Sequence, residues 1–347
     1  MEKDIIEDDN RIPWVTFCMS TYKRPVFLKQ QIATILKQTF TDFSVIISDN
    51  DPEASGKDIV ASFNDPRLQY SANESNLGMI KSFNRSLARA KSEYVVMITD
   101  DDPVYPDMLQ TLQELSLQYP GYGIYFGGCD WFCVSHEVGK LYNFKVGTNS
   151  CLSDKYDIDY KQAFSPDEFL KQIFSFGIFP HYLWSTCIVK RDILIKIGGI
   201  PDYGTPFLGD YAYLSAAGSH SGCVIINRAL GCQTLHNENF GRNQNDQIVI
   251  AAKQFPAYLE SKASHLLGWE DIKKRMLRFT ALWTITHMAF LYSYYKKTGA
   301  IDQSLNNAEK EVFKISYIKK YRIKYFLKRS FPFVHDLMVR IKKQIKG

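Results

Sequence analysis

The chain has 347 residues, 45% of them hydrophobic, enough to bury a large core as two lobes or one domain with an extension. Its net charge of +5 is uneven: positions 310–347 hold twelve Lys/Arg against Glu311 and Asp336, a net of +10, so residues 1–309 sum to −5. An acidic body without a nucleic-acid motif argues against a nucleic-acid partner. Seven scattered cysteines without a Cys-x-x-Cys pair argue against a disulfide framework or a zinc ribbon.

The first hundred residues alternate strand and helix signals. Val15–Met19 is a short apolar run, and Arg24-Pro25 opens a helical pattern through Phe27, Ile32, Ile35 and Leu36. Phe43–Ile47 is a second strand that ends in the turn-rich Ser48-Asp49-Asn50-Asp51-Pro52. A weak helix at Ile59–Phe63 and a strand at Leu68–Ser71 follow. Asn76-Leu77-Gly78 then leads into a helix over Met79–Ala90, and Tyr94–Ile98 is the next strand. Strands separated by helices predict βαβ units and a mainly parallel sheet. No glycine-rich dinucleotide or P-loop motif is present.

Beyond Pro106, a helix over Met108–Gln118 stops at Tyr119-Pro120-Gly121. The next stretch is aromatic and irregular, with separate strands expected at Gly123–Phe126 and Trp131–Val134. Ser165, Pro166 and Glu168 spell a capping box at a helix start. A strand at Ser185–Val189, a short helix to Ile197, the turn Gly198–Pro201, a helix over Asp210–Ala217 and a strand at Cys223–Ile226 come next. The pattern is helical from about Asn243 onward. The apolar segment Phe279–Tyr295 is short for a bilayer span and carries Thr280, Thr284, Thr286 and His287, so it reads as a buried or membrane-facing helix.

The triplet Asp100-Asp101-Asp102 ends the apolar run Tyr94–Ile98. Adjacent carboxylates repel and need a cation or a proton to offset their charge. Mg²⁺ is commonly held by one or two carboxylates plus substrate phosphates, and open α/β sheets bind ligands at the carboxyl ends of their strands. An acidic turn is the plainer alternative.

The first part of the chain resembles a family 2 glycosyltransferase. Met19-Ser20-Thr21-Tyr22-Lys23-Arg24-Pro25, Gln38–Phe43, Ile46-Ile47-Ser48-Asp49-Asn50, Asn76-Leu77-Gly78 and Thr99–Asp102 with Pro106 and Leu109 match its motifs in order. The resemblance implies an α/β GT-A nucleotide-diphospho-sugar transferase fold over 12–240, split into a nucleotide-sugar half at 12–110 and an acceptor half at 111–240. A helical extension covers 241–347. The implied reaction is inverting transfer of a sugar, from a UDP-type donor, to a glycan or lipid-linked acceptor hydroxyl.

The same resemblance implies roles for individual residues. Asp101 would hold Mn²⁺ or Mg²⁺, Asp100 would lie toward the ribose and uracil, and Asp102 would act through water, with the register open by one position. A bound metal would neutralise charge building on the departing diphosphate. Asp49 would accept the base's imide N–H, although an Asx turn at that position is the local alternative. Ser20, Tyr22, Asn76 and Gly78 would frame the nucleotide. The acceptor-side acidic pair is reduced here to Gly209-Asp210, leaving Asp210 as base, a position that also suits a helix cap. His236 falls where relatives carry a metal- or diphosphate-reaching histidine.

Val334, Leu337, Met338, Ile341 and Ile345 fall on one helical face with Arg340, Lys342, Lys343 and Lys346 around it, a pattern suited to an anionic membrane surface. The polar, acidic start Met1 to Asn10 is unlike a signal peptide, so the expected place is the cytoplasmic side of the membrane, as a peripheral protein. A nucleotidyltransferase with a similar acidic site, and a non-catalytic carbohydrate- or membrane-binding module, are the rival readings.

Overall fold

The computed structural model describes residues 11–142, 144–236, 245–298 and 303–330. The amphipathic tail face from Val334 to Ile345 lies outside the described residues. The first half runs β1 (Val15–Thr21), α1 (Pro25–Ile35), β2 (Phe43–Asp49), α2 (Lys57–Ala61), β3 (Leu68–Ala72), α3 (Met79–Arg89), β4 (Tyr94–Ile98) and α4 (Met108–Gln118). The second half runs β5 (Ile124–Cys133), α5 (His136–Tyr142), β6 (Gly147–Asn149), β7 (Lys161–Phe164), α6 (Pro166–Ile173), β8 (Cys187–Lys190), α7 (Arg191–Ile197), α8 (Gly209–Ser221) and β9 (Cys223–Leu235). Helices α9 (Asn245–Ala263), α10 (Trp269–Thr298), α11 (Gln303–Val312), α12 (Ser316–Lys319) and α13 (Arg322–Ser330) complete it.

The strands form one sheet in the order β3-β2-β1-β4-β8-β5-β9-β7, with β6 beside β5. Parallel pairing holds across β3-β2-β1-β4, as expected from the βαβ pattern. The acceptor half departs from the expected mainly parallel sheet: β8 is antiparallel to both β4 and β5, and β7 is antiparallel to β9.

Strand alternation separates two cores. Val15, Phe17, Met19, Tyr94, Val96 and Ile98 face Leu28 and Ile32 of α1 and Met108 and Leu112 of α4. Cys18, Val95 and Met97 face the other way, into a core with Phe83, Leu87, Phe169, Phe255 and Phe279. Both faces of β1 and β4 are therefore covered. Such strands read as continuous apolar runs, and this pins their carboxyl ends rigidly.

Three boundaries differ from the sequence expectation. The two strands expected at 123–126 and 131–134 are a single strand, β5, with register shifts around Gly128 where it pairs with β9. The glycines that look like a turn instead allow close approach: a Cβ on Gly127 would lie 2.9 Å from the Arg228 carbonyl oxygen. Strand β9 continues past Ile226 to Leu235, because Arg228 is held by a bidentate pair with Asp159 at 2.6 and 2.8 Å instead of turning into solvent. Helix α8 begins at Gly209, and its cap position is Leu208, with φ of 61°; Asp210 is inside the first turn and is not the cap.

The capping box is as expected, with Ser165 N–H and Oγ donating to Glu168 Oε2 at 3.0 and 2.7 Å. The segment Phe279–Tyr295 belongs to α10 and buries Phe279, Ile285, Met288 and Leu291 against the body. Among the described residues no helix is long and apolar enough to cross a membrane. All seven cysteines are free.

Candidate active site

The carboxyl ends of β1, β2 and β4 lie side by side, Thr21 in register with Asp49 and Met19 with Ile98, so the segments after them converge on one edge of the sheet. Three successive aspartates leave β4 there, and each meets different partners.

Asp101 is the one that faces outward with its charge. Its Oδ2 accepts from Arg24 Nη2 at 2.8 Å and lies 3.1 Å from His236 Nε2. Burial pushes its carboxyl upward, but the hydrogen bond with His236 and the charge and hydrogen bond of Arg24 outweigh this and hold it down at about 2. Asp100 takes the other arm of the same guanidinium, Arg24 Nη1 at 2.7 Å on Oδ1, and accepts from Thr21 Oγ1 at 2.7 Å on Oδ2. Burial and the neighbouring Asp101 charge raise it to about 6, against the pull of Arg24.

Asp102 points the opposite way. Its Oδ1 accepts the Thr234 backbone N–H at 2.9 Å, its Oδ2 accepts Thr99 Oγ1 at 2.9 Å, and its carbonyl accepts Gln31 Nε2 at 2.8 Å. Burial and the Asp101 charge push its carboxyl well up, and its hydrogen bonds clasp β4 to β9. Both of its oxygens are engaged by protein groups, so Asp102 stands behind Asp101 at the strand end.

Asp49 ends β2 deep in the fold. The side chain is 0% exposed, and its oxygens already accept Asp51 N–H at 3.0 Å, Gly56 N–H at 2.8 Å and Tyr70 Oη at 2.7 Å. The Asx turn is formed through the Asp51 N–H, and Asp49 shapes the loop after β2.

The remaining nucleotide-side residues do converge. Ser20 Oγ donates to Ser82 Oγ at 2.8 Å, and Tyr22 remains 41% exposed beside it in the chain. Asn76 Oδ1 accepts from Asn50 Nδ2 at 2.7 Å and from the Gly78 N–H at 2.9 Å, and Gly78, with φ of 80°, opens α3.

Arg24 is the residue that sequence reasoning missed. It caps α1 and also packs its guanidinium 4.6 Å from the Phe27 ring, which lies 5.0 Å from the His236 ring. A cation at a helix N-terminus opposes the helix dipole. That conflict was the available signal that an acidic partner awaited it.

Asp210 sits in the other half, at the start of α8. Part of the residue stays accessible, yet its carboxylate is enclosed, with Tyr182, Tyr203, Tyr211 and Tyr213 feeling its charge. Burial raises its pKa, moderated by the backbone N–H groups of Tyr211 and Asp210 itself. Among the described residues it shares no hydrogen bond or ion pair with the aspartate triplet. The halves are joined through Asn84 of α3, whose Nδ2 donates to the Ile200 carbonyl at 2.8 Å and whose Oδ1 accepts the Ile200 N–H at 2.9 Å. Gly199, with φ of 75°, allows this: a Cβ there would lie 2.4 Å from Asn84 Oδ1.

Asp101 and His236 offer one carboxylate oxygen and one imidazole nitrogen. Among the described residues no three His, Cys, Asp or Glu side chains gather as a metal cage. The donor set fits a divalent ion that takes most of its ligands from a diphosphate.

A half-parallel sheet, with an ionised aspartate and an arginine at the strand ends and an acceptor half reached through β9, is the GT-A glycosyltransferase architecture. Residues 16–198 match the profile of Glycosyl transferase family 2. The chain is 30% identical over 121 residues to a Campylobacter jejuni GalNAc(5)-diNAcBac-PP-undecaprenol beta-1,3-glucosyltransferase, covering 34% of this chain and 38% of that protein. It is 31% identical over 100 residues to the putative colanic acid biosynthesis glycosyl transferase WcaA of Escherichia coli, covering 28% and 36%. The matches thus span little more than a third of the length of these relatives. Two solved structures share the fold. S. aureus TarS 1-349 in complex with UDP has a TM-score of 0.57 at 14% identity, covering 89% of this chain and 91% of that one. The mannosyltransferase PcManGT from Pyrobaculum calidifontis, in complex with GDP-Man and Mn²⁺, has a TM-score of 0.52 at 15% identity, covering 93% and 89%. The chain belongs to glycosyl transferase family 2.

Proposed function

We propose that the chain transfers a sugar with inversion from a UDP-linked donor to a hydroxyl of a lipid-linked or surface glycan. The observation that carries this is the ionised Asp101 beside His236 at the carboxyl end of β4. Asp101 and His236 would hold a divalent metal, Mn²⁺ fitting the mixed oxygen and nitrogen donors better than Mg²⁺. When bound, that ion supplies Lewis-acid neutralisation of the leaving diphosphate. Ser20, Tyr22, Asn76 and Gly78 frame the nucleotide, Tyr22 by stacking its exposed ring on the base and Asp100 by facing the ribose. Asp210 accepts the proton of the acceptor hydroxyl as its oxygen attacks the anomeric carbon. Raised basicity from burial suits that task, because a base works best with a pKa near the working pH.

UDP in the TarS complex supports the donor class, and the undecaprenyl-diphosphate glycan named for the Campylobacter relative supports a lipid-linked acceptor. The basic C-terminal region supports a peripheral position at an anionic cytoplasmic membrane face. A panel of UDP-, GDP- and dTDP-sugars, read by released nucleoside diphosphate with and without Mn²⁺, tests the proposal. UDP-sugar turnover that Asp101→Ala abolishes is the expected result; full activity in that variant sinks it.

A further inference from the structure

The C-terminal helices enclose a feature that sugar transfer does not use. A cleft of about 550 Å³ opens between α11 and α13, with Lys310, Lys314, Arg322 and Arg329 on its walls and Glu309 as its one lining acid. Helical spacing puts them there: Gln303, Asn306 and Lys310 share a face of α11, and Arg322 and Arg329 are seven residues apart on α13.

The cations are held in different ways. Arg329 is oriented by Glu309, Nη1 to Oε2 at 2.6 Å, and that same oxygen accepts Tyr325 Oη at 3.0 Å. Lys314 pairs with Glu311, outside the cleft. Arg322 has its guanidinium over the Phe313 ring at 5.8 Å, and neither it nor Lys310 has a carboxylate partner among the described residues. The lining thus carries three more positive charges than negative ones. Like charges converging in a concave site raise each other's energy unless an anion joins them. A planar guanidinium beside ammonium groups matches the several oxygens of a phosphate.

We propose that this cleft is a binding site for a phosphate group, either on a lipid headgroup or on a free phosphate ester. It is separate from the donor site, and it stands whether or not the proposed transfer reaction does.

The test uses the full chain with two probes, glycerol 3-phosphate by calorimetry and phosphatidylglycerol-containing vesicles by sedimentation against phosphatidylcholine alone. Lys310 and Arg322 are exposed, so Lys310→Gln with Arg322→Gln removes charge without opening the core. The expected result is at least about a tenfold loss of affinity in that double variant. Lys57→Gln with Lys91→Gln, equally charge-reducing and exposed but remote in the chain, should leave binding unchanged. Vesicle binding without glycerol phosphate binding assigns the headgroup source, and binding of both assigns the phosphate itself. No binding of either probe, or equal loss in both double variants, overturns the site. Donor turnover without vesicles should be the same in all three proteins, so failure of the transfer reaction would register separately.

Discussion

Arg24 Nη2 lies 2.8 Å from Asp101 Oδ2, while the other arm of the same guanidinium reaches Asp100. A side chain from the start of α1 therefore supplies the positive charge that the end of β4 demands. It stands on the oxygen that a metal ion would also use, so arginine and metal compete for Asp101.

Removing that competitor has two opposed effects. Arg24→Ala is expected to lower stability without metal by about 2 kcal/mol, the scale of hydrogen bonds to charged groups, and to tighten Mn²⁺ binding. Thermal melts with Mn²⁺ and with EDTA check both: the melting point should fall in EDTA and recover when Mn²⁺ is added. An Arg24→Ala protein with wild-type Mn²⁺ affinity would mean that the guanidinium does not occupy the metal's position.

The aspartates should separate cleanly by substitution. Asp101→Asn is expected to cost about a hundredfold or more in turnover, as loss of a group acting on transition-state charge does. Asp102→Asn should stay within about 1 kcal/mol of wild-type stability at neutral pH, because the amide is isosteric, its oxygen can still accept the Thr234 N–H, and burial disfavours the charge it removes. Asp102→Ala should lose more, having no acceptor for the Thr234 N–H. Denaturant melts of the pair, with turnover assays, decide the matter; equal stability of Asp102→Asn and Asp102→Ala would remove the clasp.

Asp210 links pH to both activity and stability. Its folded pKa is raised above its unfolded value, so the folded state binds the proton more tightly. Its stabilising contribution is complete below the unfolded pKa of about 4 and is lost as pH rises through the folded value. Asp210→Asn should therefore raise the melting point at neutral pH, with the gain vanishing below about pH 4. Turnover runs the other way, since the base must be ionised: the acid limb should fall at a pH above that of an ordinary aspartate. Asp210→Asn should lose about a hundredfold to ten-thousandfold in turnover. A pH–rate profile with its acid limb unchanged in Asp210→Asn would reassign the base.

Asn84 holds the Gly199-Ile200 turn that precedes α8. Asn84→Ala leaves the Ile200 N–H and carbonyl without these partners and should cost about 1–3 kcal/mol. Donor binding, made on the other half, should persist while turnover falls. Nucleotide titration compared with steady-state rates tests this, and an equal fall in both would place Asn84 in the donor site.

The apolar runs of β1, β2 and β4 and the helix over Met108–Gln118 were legible because both faces of these strands are covered and the periodicity is strong. The acceptor half was less so. There Gly127, Gly128 and Gly231 look like turn residues but serve close strand approach, a Cβ on Gly231 lying 2.8 Å from the Pro103 carbonyl. Small β6 and β7 carry too few residues to show a period.

From the sequence by itself come the alternation of strands and helices, the acidic triplet at a strand end and the ordered motifs around it. Local pattern determines these, since backbone periodicity and turn chemistry act over a few residues. How the three aspartates differ from one another was decided only by the tertiary structure. Thr234, whose N–H Asp102 accepts, is 132 residues away, and His236, which supports Asp101, is 135 away. Three identical carboxylates in a row differ in what β1, the start of α1 and the end of β9 bring to each. In a buried, low-dielectric edge those neighbours set the charge.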